Sequence, residues 1–197
     1  MEAPHHQQPA PPQPNPRDGH AAADGDPRAA GPGRRELTVT VPSAEEMRRL
    51  GVRLAQVLRA GDLVLLTGEL GAGKTTLTRG LGEGLGVRGA VTSPTFVIAR
   101  VHPSLGDGPP LVHVDAYRLG GGLEEMEDLD LDVSLPQSVV VVEWGEGRVE
   151  ELTEDRLHVV ISRATGQAGQ EADDVRTVTL VGVGERWARE DLAALAG

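Results

Sequence analysis

Cysteine is absent from this 197-residue chain, so a disulfide framework and a thiolate metal site are both excluded. Long apolar runs are absent too. Nothing approaches the roughly 18 consecutive apolar residues of a membrane-spanning helix. The N-terminus lacks a basic start followed by an apolar core, which argues against a secretory signal, so a soluble cytoplasmic protein is expected. Positive charge is short: 19 basic residues face 30 acidic ones, for a net charge of −11. A broad nucleic-acid footprint needs clustered positive charge and is disfavoured. Aromatics are limited to Phe96, Tyr117, Trp144 and Trp187, whose default use is core filling. Lysine is scarcest of all. Lys74 is the only one, and the other 18 basic residues are arginine.

That lysine stands in the stretch Gly68-Glu69-Leu70-Gly71-Ala72-Gly73-Lys74-Thr75, which reads G-x-x-x-x-G-K-[ST], the phosphate-binding P-loop pattern. Leu63 to Leu66 before it is a short apolar run, as in a buried strand. Thr76 to Leu85 after it carries Leu77, Leu81 and Leu85 on one helical face. The glycines let backbone N–H groups approach phosphate oxygens, and the helix N-terminus adds free amides and partial positive charge. Lys74 is a compact point charge for the β- and γ-phosphates, and the Thr75 hydroxyl suits Mg²⁺.

Residues 1–35 are rich in Pro, Ala, Gly and Gln and carry almost no large apolar side chains, so this segment is read as a disordered tail. His5, His6 and His20 are read as part of that solvated tail. Residues 36–197 form the P-loop domain. Glu36 to Val41 alternates as a strand. Ser43 and Glu46 make a capping box for a helix expected to reach Arg59 and to end at Gly61. Beyond the P-loop unit, which closes at Gly86, strands are expected over Val97 to Val101, Leu111 to Val114, Ser138 to Val142, Arg156 to Ser162 and Arg176 to Val183. Leu123 to Leu131 reads as an acidic helix whose default role is a solvated face, with docking of a basic partner as the rival. Ala164 to Asp174 reads as a loop, and Glu185 to Leu195 as one short amphipathic helix. The fold class is α/β: a P-loop NTPase-like three-layer sandwich with a mostly parallel central sheet and antiparallel strands toward the C-terminus.

A P-loop enzyme also needs an acid for Mg²⁺ and a group that orients or deprotonates the nucleophile. Asp115 closes the strand Leu-Val-His-Val, and Glu143 closes Val-Val-Val-Val. Ligands of open α/β sheets sit beyond the carboxyl ends of strands, so both acids are expected at the P-loop mouth. Ser93 and Thr95, in a loop constrained by Pro94, are candidates for sensing the γ-phosphate. Tyr117-Arg118 offers a further cation.

Taken together, G-E-L-G-A-G-K-T-T (68–76), S-P-T-F (93–96), H-V-D-A-Y-R-L (113–119) and V-E-W (142–144) resemble the TsaE (YjeE) family in order and spacing, over about residues 36 to 163. The resemblance implies a bacterial P-loop ATPase of tRNA N6-threonylcarbamoyladenosine synthesis. Such a protein binds and slowly hydrolyses ATP with Mg²⁺ and acts with TsaD-like and TsaB-like partners. It implies that Lys74 and the loop from Gly68 through Glu69, Leu70, Gly71, Ala72, Gly73 and Thr75 to Thr76 hold the nucleotide, with Ser43 and Ala44 flanking the nucleoside. Thr75 and Glu143 hold Mg²⁺, and Asp115 orients or deprotonates water. Ser93, Pro94 and Thr95 form a switch segment, and Tyr117, Arg118 and Trp144 border the site. Glu69 stands where the family often has Asp, and the 164–174 loop looks long for the family.

The rival enzyme reading is a small-molecule P-loop kinase, which would need an acceptor pocket and an arginine-bearing lid. A GTP switch is disfavoured because N-K-x-D cannot occur in a chain whose only lysine is Lys74. Between residues 36 and 163 there are 12 basic and 20 acidic residues, a net −8, so tight tRNA binding without partners is not expected.

Overall fold

The computed structural model describes residues 34–93, 98–118, 129–147, 149–163 and 175–196. The tail through residue 33, Pro94 and Thr95 of the switch segment, the acidic stretch 119–128 and the 164–174 loop lie outside the described residues.

Seven strands form one mixed sheet: β1 Arg35–Val41, β2 Leu63–Gly68, β3 Ala99–His102, β4 Leu111–Asp115, β5 Val139–Glu143, β6 Arg156–Arg163 and β7 Arg176–Val183. Their spatial order is β1-β7-β6-β2-β5-β4-β3. The four central strands, β6, β2, β5 and β4, run parallel. Antiparallel pairing flanks them on both sides: β6 with β7 and β7 with β1 at one end, β3 with β4 at the other. The antiparallel share is therefore larger than the sequence suggests, and it is not confined to the C-terminal strands. The reason lies in the periodicity. Val-Val-Val-Val of β5 and Leu-Val-Leu-Leu of β2 are buried on both faces, as parallel strands under two helical layers must be. Strand β1 at the edge and β6, where the antiparallel flank begins, alternate instead.

Helices α1 Ala44–Ala55 and α2 Lys74–Gly84 cover one face. Met47, Leu50, Leu54, Leu77 and Leu81 pack there on Val64, Leu66, Val141, Val159, Ile161 and Val178. On the other face, Leu63, Leu65, Val112, Val114, Val140 and Val142 meet Leu131 and Leu135, which belong to α3 Leu131–Ser134 and the 3₁₀ turn Leu135–Gln137. Ser43 caps α1, its hydroxyl accepting from the Glu46 amide at 3.2 Å. Three glycines let α1 and α2 cross closely. A Cβ on Gly51 would meet Leu77 O at 2.3 Å, one on Gly80 would meet Arg48 O at 2.0 Å, and one on Gly84 would meet Ala55 Cβ at 2.6 Å.

Several element boundaries differ from expectation. Helix α1 stops at Ala55, short of Arg59, because the Gln56 and Val57 amides turn to carbonyls three residues back, Arg53 O and Leu54 O. Gly61, with φ +94°, shapes the turn into β2 rather than the helix end. Strand β3 runs Ala99–His102, and Val97, where it was expected to begin, lies outside the described residues. At the end of the acidic stretch, Leu129 and Asp130 form a turn, and Leu131 opens a helix where it was expected to close one. The C-terminal helix is two pieces, α4 Glu185–Ala188 and a 3₁₀ turn Leu192–Ala196. The Asp191 carboxylate accepts from the Ala193 amide between them and competes with a continuous helix. Among the described residues, no helix is long and apolar enough to cross a membrane.

Candidate functional site

The P-loop joins β2 to α2. Gly71 and Gly73 adopt φ +77° and +114°, a left-handed backbone that glycine enters without strain. Gly68 abuts β6: a Cβ there would lie 2.5 Å from Ile161 O. Gly73 is the N-cap of α2 and offers no side-chain cap, so the first helical amides have no intrahelical or capping acceptor and face the loop concavity. Leu70 projects into solvent, 86% exposed.

Lys74 is buried at 5% exposure. Its Nζ donates to Gly68 O at 2.7 Å and Glu69 O at 3.0 Å, and it lies 3.9 Å from the centroid of the Trp144 ring. Burial pushes this ammonium below the ordinary lysine value, while the Glu143 and Asp115 carboxylates act in the opposite sense.

Strand parity explains how the acids arrive. Leu111 and Val139 face α2, so residues two and four further along each strand face it too. Asp115 and Glu143 are register partners on β4 and β5, and both are buried. The Thr75 hydroxyl donates to Glu143 Oε1 at 3.2 Å. His113 Nε2 lies 2.9 Å from the same oxygen, and both side chains are fully or nearly fully buried. His113 Nδ1 has no hydrogen-bond partner. Asp115 Oδ1 accepts from the Tyr117 amide at 3.2 Å. Tyr117 and Trp144 contact each other, their centroids 5.4 Å apart at 53°.

Ser43, Ala44 and Met47 at the start of α1 join Gly71, Ala72, Gly73, Thr76 and Arg176 in lining a cleft of about 110 Å³. The structure therefore brings Ser43 and Ala44 to the outer side of the P-loop. Lys74, Thr75, Asp115, Glu143 and Trp144 gather on its inner side. Ser93 is partly buried in the described chain, and Arg118 is described in its backbone only, at the end of a 3₁₀ turn from Ala116. Among the described residues no cluster of three or more His, Asp or Glu side chains makes a self-sufficient metal site.

Three residues carry contacts that the sequence reading did not assign: His113 against Glu143, Arg176 in the cleft wall, and Arg163 beside Gly71. A signal existed for the arginines. Each stands two residues from a buried core position on its strand, Ile161 for Arg163 and Val178 for Arg176, and so shares that face.

Parallel strands, a glycine loop with a buried lysine at a helix start, and acids at neighbouring strand ends define a P-loop protein of the α/β class. The sequence pattern of the family described as threonylcarbamoyl adenosine biosynthesis protein TsaE matches residues 41–172. The chain belongs to the TsaE family. It is 79% identical over 151 residues to the tRNA threonylcarbamoyladenosine biosynthesis protein TsaE of Streptomyces coelicolor, an alignment that covers 77% of this chain and 100% of the relative. The Bacillus subtilis protein of the same name is 39% identical over 155 residues, covering 78% and 90%. The crystal structure of Bacillus subtilis YdiB superposes with a TM-score of 0.60 at 36% identity, covering 78% of this chain and 90% of that one.

Proposed function

We propose that this chain binds and slowly hydrolyses Mg-ATP as the accessory ATPase of a complex that makes N6-threonylcarbamoyladenosine in tRNA, acting with TsaD-like and TsaB-like proteins. The observation that carries the ATPase reading is the contact of Thr75 with Glu143 beside Lys74 and Asp115. One hydroxyl, one ammonium and two carboxylates meet at the mouth of a P-loop. The place in tRNA modification rests on membership of the family.

The loop amides and Lys74 neutralise the β- and γ-phosphates, and Thr76 with Ser43 and Ala44 borders the nucleoside end. Thr75 and Glu143 would hold Mg²⁺ through their oxygens, and the ion would offset negative charge on the nucleotide's phosphates. His113 holds Glu143 through Oε1. Asp115 orients a water in line with the γ-phosphorus and accepts its proton. The new P–O bond forms from that water as the bond to the β-phosphate oxygen breaks, giving ADP and phosphate. Trp144 covers the Lys74 ammonium and keeps bulk water from it.

The test is phosphate release from MgATP by the purified protein, alone and with TsaD- and TsaB-like partners. Slow release alone that rises with the partners is expected. ADP formation that depends on an added metabolite and ignores the partners would move the assignment to a small-molecule kinase.

A further inference from the structure

Arg163 and Arg176 are register partners, the last pair of the β6–β7 ladder. Directly opposed residues on antiparallel neighbours project from the same face, and like charges so placed repel. Here the shared face is that of α1 and α2, as the parity of Ile161 and Val178 shows. Both side chains therefore stand at the end of the sheet where the P-loop and the start of α1 meet. Arg163 Nη2 lies 3.1 Å from the point a Cβ on Gly71 would occupy, which places the guanidinium directly over the loop. Among the described residues, no hydrogen bond or ion pair engages the Arg163 side chain, although the chain is rich in carboxylates. Arg176 lines the adjoining cleft with Gly71, Gly73 and Thr76.

We propose that Arg163 and Arg176 form a cross-strand anion clamp on the outer side of the P-loop, and that its ligand is the phosphate chain of the bound nucleotide at the end nearer the nucleoside. This rests on the ATP-binding reading above and adds two residues to it. Lys74 approaches from the inner side, beneath Trp144, so the phosphates are gripped from two sides by three cations. Arginine suits this place because its planar fork donates to two phosphate oxygens at once.

The experiment measures dissociation constants for MgADP and for adenosine by calorimetry, with thermal melts of the free proteins. The proteins are the wild-type full chain, Arg163→Ala, Arg163→Lys and Arg176→Ala. Wild-type binding of MgADP comes first, because its absence would remove the ATP reading itself. Given that binding, Arg163→Ala and Arg176→Ala are each expected to weaken MgADP about tenfold, as loss of a charge-assisted hydrogen bond does. Adenosine affinity is expected to stay within twofold. Arg163→Lys is expected to recover about a third or more of the logarithmic loss by restoring the charge. Each alanine variant is expected to fold, with a melting point close to that of the wild type without ligand. Unchanged MgADP affinity in both alanine variants would overturn the clamp. So would an equal loss for MgADP and adenosine, or a lowered melting point with equal losses, either of which marks a structural role.

Discussion

The substitution Gly80→Ala tests whether the close crossing of α1 and α2 sets the position of the P-loop. Helix propensity alone favours the change, since alanine in a helix interior is better than glycine by ~1 kcal/mol. The packing opposes it. The new Cβ would lie 2.0 Å from Arg48 O and 3.0 Å from Gly51 Cα. Both are backbone atoms, which no rotamer change removes. The helices must separate by roughly 1 Å, enough to forfeit a quarter or more of the dispersion contact along the seam. Leu50, Leu54, Leu77 and Leu81, all fully buried, share that seam. Overpacking costs of ~3 kcal/mol or somewhat more are appropriate to such a site. After the propensity gain, a net loss of ~2–3 kcal/mol remains. For a chain of this size that lowers Tm by ~4–12 °C. Urea unfolding of Gly80→Ala beside Gly106→Ala is the assay, because a Cβ on Gly106 meets nothing within 4 Å. The control is expected within about 0.5 kcal/mol of wild type. Displacement of α2 also carries Thr75 away from Glu143, so MgATP affinity should fall with stability. A Gly80→Ala protein as stable as wild type would refute the reasoning, for it would mean that helix propensity outweighs the crossing.

Lys74→Met keeps the stem but removes the charge, and MgATP affinity should fall by about 30-fold or more, from ~2 kcal/mol for a charge-assisted hydrogen bond; calorimetry showing an unchanged constant would reject the P-loop assignment. Asp115→Asn should lower the hydrolysis rate constant by about a hundredfold with ATP affinity changed less than about threefold, the pattern of a group acting in the transition state; equal losses of both would make Asp115 a binding or structural residue. Burial pushes His102 and His158 below the ordinary histidine value. The unfolded chain then takes up protons near pH 6.5 that the folded chain refuses, so stability is full above that pH and declines as pH falls toward the folded values; the urea midpoint of a His102→Gln, His158→Gln double variant should vary less between pH 7 and 5 than that of wild type. With a net −8 between residues 36 and 163, the protein alone should shift tRNA in a gel only weakly at physiological salt; tight, partner-free binding would contradict the charge argument.

The parts of the fold legible in the sequence are those where one local signal decides. Seven strands were expected in outline because β2 and β5 are unbroken Leu and Val, as buried parallel strands are, and β1 and β6 alternate. Boundaries set by tertiary competition were not legible. Nothing local says that α1 tightens after Ala55, or that the Asp191 carboxylate takes the Ala193 amide and splits the last helix. The inner half of the site was legible because each of Lys74, Thr75, Asp115 and Glu143 ends or begins an element, and α/β sheets collect such ends at one edge. The outer half was legible only in part: Ser43 and Ala44 were expected there, and strand parity gives the arginines their face but not their pairing. Arg163 and Arg176 become neighbours only through the β6–β7 register, and Gly51 and Gly80 matter only because two helices cross at them. Pairings across the fold leave no periodicity in either segment alone.

Trp144 shows how the inner site is assembled against the strand's own geometry. Successive residues of a strand point to opposite faces. If β5 continued past Glu143, Trp144 would face the side of the sheet away from α2, where Val140 and Val142 lie. Instead Trp144 takes φ +62°, a left-handed backbone that costs a non-glycine residue ~1 kcal/mol or more. Its amide donates to Leu66 O at 3.3 Å on β2, which holds the bend against the central strand. The reversal lets two consecutive side chains serve one lysine: the Glu143 carboxylate acts on Lys74 electrostatically, and the Trp144 ring lies 3.9 Å from its Nζ. A glycine at this position would relax the backbone and lose the ring. Retaining tryptophan in a strained conformation is therefore explained by its contact with the lysine rather than by the core, from which it is partly exposed.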